Sequence, residues 1–74
     1  MDRFEAMRTL VAAIDGGSLS AASRALGIPL ATVSRRVSDL EARLGTRLVV
    51  RTSRRLIPTE EGAPFIATAR RILE

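Results

Sequence analysis

The 74-residue chain contains no cysteine and no histidine, so neither a disulfide nor a zinc site built from sulfur or nitrogen ligands is available to it. It also lacks tyrosine, tryptophan and lysine. The usual general acids, bases and nucleophiles are therefore nearly absent, which argues against an enzyme. The carboxylates that pair in sequence, Asp39 with Glu41 and Glu60 with Glu61, read as helix surface and helix start. Only Phe4 and Phe65 are aromatic, so the core must be aliphatic. No run approaches the roughly 20 apolar residues of a membrane span. The acidic start MDRFEAM, with no uninterrupted apolar stretch behind it, is unlike a signal peptide. The expected location is the cytoplasm, with no membrane partner, no metal and no cofactor.

What is present is arginine. All 12 basic residues are Arg, set against 8 acidic ones, for a net charge of +4. Such an excess suits a polyanion, although solubility alone is the plain reading of a charge this size. The distribution says more. Arg47, Arg51, Arg54 and Arg55 cluster, and no acidic residue lies between Glu41 and Glu60.

The stretch from Ser18 to Gly45 organises the chain. A short helix carries Leu19, Ala22 and Leu26 on one side at helical spacing. Gly27 ends it, and Pro29 suits the start of a new helix. Ser23 is small where the two helices cross, and Ile28 and Val33 fill the corner. The second helix, about residues 30 to 44, has Val33, Val37, Leu40 and Leu44 as one apolar stripe. Its other face carries Leu30, Ala31, Thr32, Ser34, Arg35 and Ser38. Short polar groups and an arginine are what a helix needs to enter a major groove. An ordinary helical hairpin with a solvated face is the competing reading of the pattern alone. The Gly27-Ile28-Pro29 corner favours a DNA-binding helix-turn-helix.

With its flanks, this stretch resembles the N-terminal DNA-binding domain of LysR-type transcriptional regulators. The likeness runs from Phe4 to about Ala69. It is carried by GGSLSAASRALGIP, ATVSRRVSDLEARLG and TRLVVRTSRRLIPTEEG, in that order and spacing. It implies a mostly α fold with a small β-hairpin: a winged helix-turn-helix of three helices plus wing over residues 1–58. A linker helix begins in residues 59–74. It also implies binding of double-stranded DNA as a homodimer paired through that linker helix. A small-molecule effector would act only through a larger domain, absent from these residues, so the chain is expected to be an isolated DNA-binding fragment, the other possibility being a gene that encodes only this module. The alternative is a winged-helix protein-interaction module without DNA binding, whose recognition helix would be acidic or broadly apolar outside.

Two departures from the family pattern stand out. Many members begin the recognition helix with Ser or Thr, then Gln; here Pro29 and Leu30 stand there. Base readout at that point is either lost or becomes apolar contact with a thymine methyl. Val49 stands where Phe is common.

In chain order, residues 3 to 15 form a first helix with Phe4, Met7, Leu10, Val11 and Ile14 on one face. Asp2 and Glu5 sit near its positive end. Ser18 or Ser20 caps the second helix, and both serines lie where backbone N–H groups can hold a phosphate. Arg35 is the foremost candidate for a base edge, that of guanine, and Arg36 for a phosphate. Asp39, Glu41 and Arg43 read as a solvated face with an Asp39–Arg43 pair. Residues 46 to 58 form the wing, in which Leu48 and Val50 face inward and Pro58 closes the second strand. Arg51 and the tip residues Ser53, Arg54 and Arg55 complete the DNA-facing set. The resemblance assigns the wing arginine, Arg54, to the minor groove. Thr59 caps the last helix, whose apolar residues Phe65, Ile66, Ala69, Ile72 and Leu73 form the expected dimer face. Pro64 predicts a kink or a delayed start.

Overall fold

Helix α1 (Arg3–Gly16) runs through the middle of the fold, with α2 (Leu19–Leu26) and α3 (Leu30–Leu44) packed against it. The two-stranded wing follows, β1 (Val49–Arg51) and β2 (Leu56–Pro58), and then α4 (Gly62–Leu73). This arrangement comes from a computed structural model, which describes residues 2–74.

Helices α1 and α2 begin on side-chain caps, and left-handed glycines end α1, α2 and α3. The Asp2 carboxylate accepts the Glu5 N–H at 3.1 Å and caps α1. Ser18, not Ser20, caps α2, its hydroxyl accepting the Ala21 N–H at 3.0 Å. Gly27 takes a left-handed φ of 66°, which turns the chain between α2 and α3 with no Cβ to oppose it. The corner is then tied twice. The Ile28 N–H donates to the Ser23 carbonyl at 3.2 Å, and the Ser23 hydroxyl donates to the Ile28 carbonyl at 2.5 Å.

The core is aliphatic and mostly small. Ala6, Leu10 and Ala13 of α1 meet Ala22 of α2 and Val33, Val37 and Leu40 of α3. Leu48, Val49 and Leu56 enter from the wing, and Ile66 from α4. Alanines on α1 let its neighbours approach closely. The face of α1 therefore differs from the expected one: Ala6, Thr9, Leu10 and Ala13 are buried, whereas Phe4 is 60% exposed. Thr9 is tolerated inside because its hydroxyl donates to the Glu5 carbonyl at 2.7 Å. In α3 the buried stripe ends at Leu40, and Leu44 is 46% exposed.

The wing pairs Val49 with Pro58, Val50 with Ile57 and Arg51 with Leu56, antiparallel. Val49 is buried and Val50 only half-buried, the reverse of the expected alternation. Leu48 is buried just before the strand begins, so the inward side is set by the turn out of α3. Thr59 caps the turn into the last helix as expected, its hydroxyl accepting the Gly62 N–H at 2.8 Å. The regular helix is delayed to Gly62, as Pro64 predicts, because Pro64 has no N–H to give the Glu60 carbonyl. No helix among the described residues is long and apolar enough to cross a membrane.

Candidate nucleic-acid interface

The expected contact residues fall on three elements, and the wing is held against the helices from both ends. At its root, one Glu41 carboxylate oxygen accepts the N–H groups of Leu48 at 2.7 Å and Val49 at 3.3 Å. Glu41 is thus no part of a solvated face. Its carboxylate also stands 3.8 Å from the Arg47 guanidinium. No ion pair joins Asp39 to Arg43 among the described residues; their side chains are left to solvent. At the other end of the wing, the Leu56 N–H donates to the Gly17 carbonyl at 2.8 Å. The second strand is thereby fixed to the turn that precedes α2.

Thr52 builds the wing tip, a role not assigned to it from sequence. Its N–H and its hydroxyl both donate to the Arg55 carbonyl, at 2.9 and 2.8 Å. The same hydroxyl accepts the N–H groups of Arg54 at 3.2 Å and Arg55 at 3.0 Å. A threonine opening a turn before Ser and Arg is the sequence signal that identifies such a turn. The closed tip presents Ser53 and Arg54 outward. Arg55 instead bends back over Gly17, whose position for a Cβ lies 3.8 Å from Arg55 Cβ, Nε and Nη2.

Between tip and helices lies an open cleft of about 430 Å³. Ser18 and Ser20 line it at the start of α2, Leu30 and Ser34 on α3, and Arg51, Ser53, Arg54 and Arg55 on the wing. Three guanidinium groups therefore border a cleft with no acidic residue in its wall. Its field favours an anion. The Ser18 hydroxyl accepts in its cap and still has its own proton to donate outward.

The remaining α3 residues are divided. Thr32, Arg35 and Arg36 border a separate recess with Asp2, Glu5 and Asp39. Arg35 is exposed and has no ion-pair partner among the described residues. Arg36 departs from its expected role. Its guanidinium donates to the Thr9 hydroxyl at 3.3 Å and stands 3.8 Å from Glu5, so it is turned onto α1 rather than out toward a phosphate. Pro29, Ala31 and Ser38 are exposed on the outer side of α3.

The expected dimer face needs a correction as well. Ile66 and Ala69 are only 4% and 1% exposed, because that side of α4 packs on the chain's own core. Ile72 is exposed, and Phe65 and Leu73 are half-buried. An apolar stripe on a terminal helix fits a partner and its own core equally well, so periodicity does not separate the two.

Comparison with known proteins places this geometry. Residues 4–63 match the sequence pattern of the family described as bacterial regulatory helix-turn-helix protein, lysR family. An HTH-type transcriptional repressor of Pseudomonas aeruginosa (strain UCBPP-PA14) is 46% identical over 74 residues, covering 100% of this chain and 23% of that protein. The HTH-type transcriptional regulator CrgA of Neisseria meningitidis is 41% identical over 70 residues, covering 95% of this chain and 23% of the relative. The chain thus spans about a quarter of the length of these curated relatives. Among solved structures, the DNA-binding domain of CbnR in complex with DNA superposes with a TM-score of 0.89 at 33% identity. That match covers 99% of this chain and 83% of the other. The DNA-binding domain of BenM bound to its benA site 1 DNA gives 0.90 at 33% identity, covering 99% and 81%.

Proposed function

The chain belongs to the lysR family of bacterial regulatory helix-turn-helix proteins, and we propose that it binds double-stranded DNA by sequence, with α3 in the major groove and Arg54 in the adjoining minor groove. The observation that carries this reading is the cleft in which Leu30 and Ser34 of α3 face Arg51, Arg54 and Arg55 with no acidic residue between them. The likeness to two DNA-bound domains supports it.

The division of labour follows from chemistry. Arg35, exposed and without an ionic partner, is suited to the paired acceptors of guanine. Thr32, Ser34 and Ser38 are short enough to bond bases or phosphates at close approach. Ser18, Ser20, Ser53 and Arg51 suit phosphates, which fix orientation without reading sequence. Arg54, lifted by the Thr52 turn, suits a narrow minor groove, where the negative potential is enhanced. Arg55 lies nearer the body and suits the flanking backbone.

In this reading residues 1–58 are the DNA-binding unit and residues 59–74 begin a linker. Two copies pair through the linker, using exposed Ile72 with Phe65 and Leu73, and set two recognition helices about 34 Å apart. The activity is binding, with no catalytic step, and its setting is the cytoplasm. In this reading a small-molecule effector acts only through a further domain outside these 74 residues. The alternative of a protein-interaction module is not favoured, since the relatives named above are transcriptional regulators.

The test is fluorescence anisotropy on a duplex selected from random sequence, repeated from low to moderate salt. Phosphate contacts release counterions, so the logarithm of the binding constant should fall linearly with the logarithm of salt concentration. Affinity that does not change with salt overturns the reading.

A further inference from the structure

Leu30 is the residue that the general reading leaves without a task. It opens α3 and is 47% exposed. The buried stripe of α3 begins one turn later, at Val33, and runs on through Val37 and Leu40, and Leu30 is outside the buried core. Leu30 therefore contributes little to the chain's own core. It is the one large apolar side chain exposed in the first two turns of α3. Ser34 follows one turn later on the same side, and both border the cleft rimmed by wing arginines.

A leucine has neither donor nor acceptor, so it cannot read the hydrogen-bonding edges of bases. The major groove nevertheless offers one apolar group, the 5-methyl of thymine. The arginine rim of the cleft says that the occupant is a polyanion, and duplex DNA is a polyanion whose groove carries that methyl group. The neighbours of Leu30 suit close approach. Pro29 and Ala31 are exposed and short, and no side chain caps the start of α3.

We propose that Leu30 is a specificity-determining residue that selects thymine by packing against its 5-methyl group; this rests on the DNA-binding reading above. The test starts from the duplex selected with the unaltered 74-residue protein. Each thymine of a half-site is replaced in turn by uracil, which removes the methyl and leaves the pairing intact. One replacement should weaken binding about fourfold, the equilibrium factor for one buried methyl group. Leu30→Ala should bind thymine and uracil versions of that site equally, as should Leu30→Gln, with both variants' helical circular dichroism unchanged. Uracil tolerated at every position, or a uracil penalty of the same size in Leu30→Ala, overturns the proposal while leaving DNA binding in place. Failure of the unaltered protein to retain any duplex overturns the DNA-binding reading itself, and the assignment of Leu30 with it.

Discussion

The carboxylate of Glu41, near the end of the recognition helix, accepts the backbone N–H of Leu48 at 2.7 Å just before the wing begins. Leu48 is 1% exposed, so no water can replace that acceptor. The same oxygen takes the Val49 N–H at 3.3 Å. One side chain thus fixes the wing relative to the helix that the DNA is to meet. Glu41→Ala leaves a buried donor unpaired and should cost about 1–3 kcal/mol in urea unfolding. Glu41→Gln keeps an acceptor oxygen and should cost less. Native-state hydrogen exchange should show the Leu48 amide losing protection in Glu41→Ala. Unchanged protection there would mean that the carboxylate does not hold the wing.

At Gly62 helix propensity and packing have opposite signs. By helix propensity Gly62→Ala should stabilise, by up to about 1 kcal/mol. A Cβ at this position, however, would run into the backbone of Leu48, with the carbonyl carbon at 2.7 Å and Cα at 2.8 Å. Backbone cannot rotate away as a side chain does. The expected result is destabilisation of about 1–3 kcal/mol. In a domain this small each kcal/mol lowers the thermal midpoint by roughly 4–8 °C. A raised midpoint would show that α4 packs less closely on the wing than described.

These two residues show where sequence reading stops. The helix order, the Gly27–Pro29 corner and the wing were legible because each rests on local signals: helical spacing, a left-handed glycine, a proline that cannot continue a helix. Glu41, Gly62 and Arg36 act through partners 7, 14 and 27 residues away, and no local pattern marks those distances. Helical spacing puts Phe4 on one apolar face with Met7, Leu10, Val11 and Ile14, yet Phe4 is 60% exposed. A helix central to the fold buries instead its small side, Ala6 and Ala13, where several neighbours crowd in. Of the residues that line the cleft, Ser18, Ser20, Leu30, Ser34, Arg51, Ser53, Arg54 and Arg55 were legible as candidates, whereas Gly17, Leu19 and Thr52 were not. The inward turn of Arg36 was not, because it depends on Thr9 being buried beside it.

Asp15 and Arg70 tie the end of α1 to α4, with oxygen–nitrogen distances of 2.6 and 3.1 Å. Asp15 lies at the negative end of a helix, which disfavours its charge. The hydrogen bonds from Arg70, helped by its positive charge, outweigh the cost of partial desolvation and hold the Asp15 carboxyl below the ordinary carboxylate range. A pKa lower in the folded state gives stability that is present above the unfolded pKa and lost as pH falls through the folded one. Asp15→Asn should therefore be less stable than the unaltered protein near neutral pH, by less than about 1 kcal/mol because the pair is exposed. The two stability curves should converge in acid. A difference that persists undiminished to the lowest pH would assign the effect to packing instead.

Arg54 is exposed at a tip held by Thr52 and has no ionic partner among the described residues. Arg54→Ala should leave folding within about 0.5 kcal/mol. It should weaken binding to the selected duplex by roughly 1–3 kcal/mol through loss of the groove contact. Chemical footprinting should then lose protection in the flanking minor groove and keep it in the major groove. Flanking protection that survives in Arg54→Ala rules out the minor-groove assignment.

Arg35 and Arg36 are adjacent in sequence but should separate cleanly in experiment. Arg36 spans to Thr9 and Glu5 on α1, so Arg36→Ala should act mainly on stability, costing about 0.5–1.5 kcal/mol for the lost hydrogen bond. Its binding, measured on folded protein, should keep its base preference. Arg35 faces solvent, so Arg35→Ala should leave the unfolding midpoint nearly unchanged. It should instead relax preference at one position of each half-site, worth roughly 1–3 kcal/mol of discrimination. The comparison needs both selected and random duplexes. If Arg35→Ala weakens both by the same factor, Arg35 meets only phosphate, and base reading must fall to Thr32, Ser34 and Leu30.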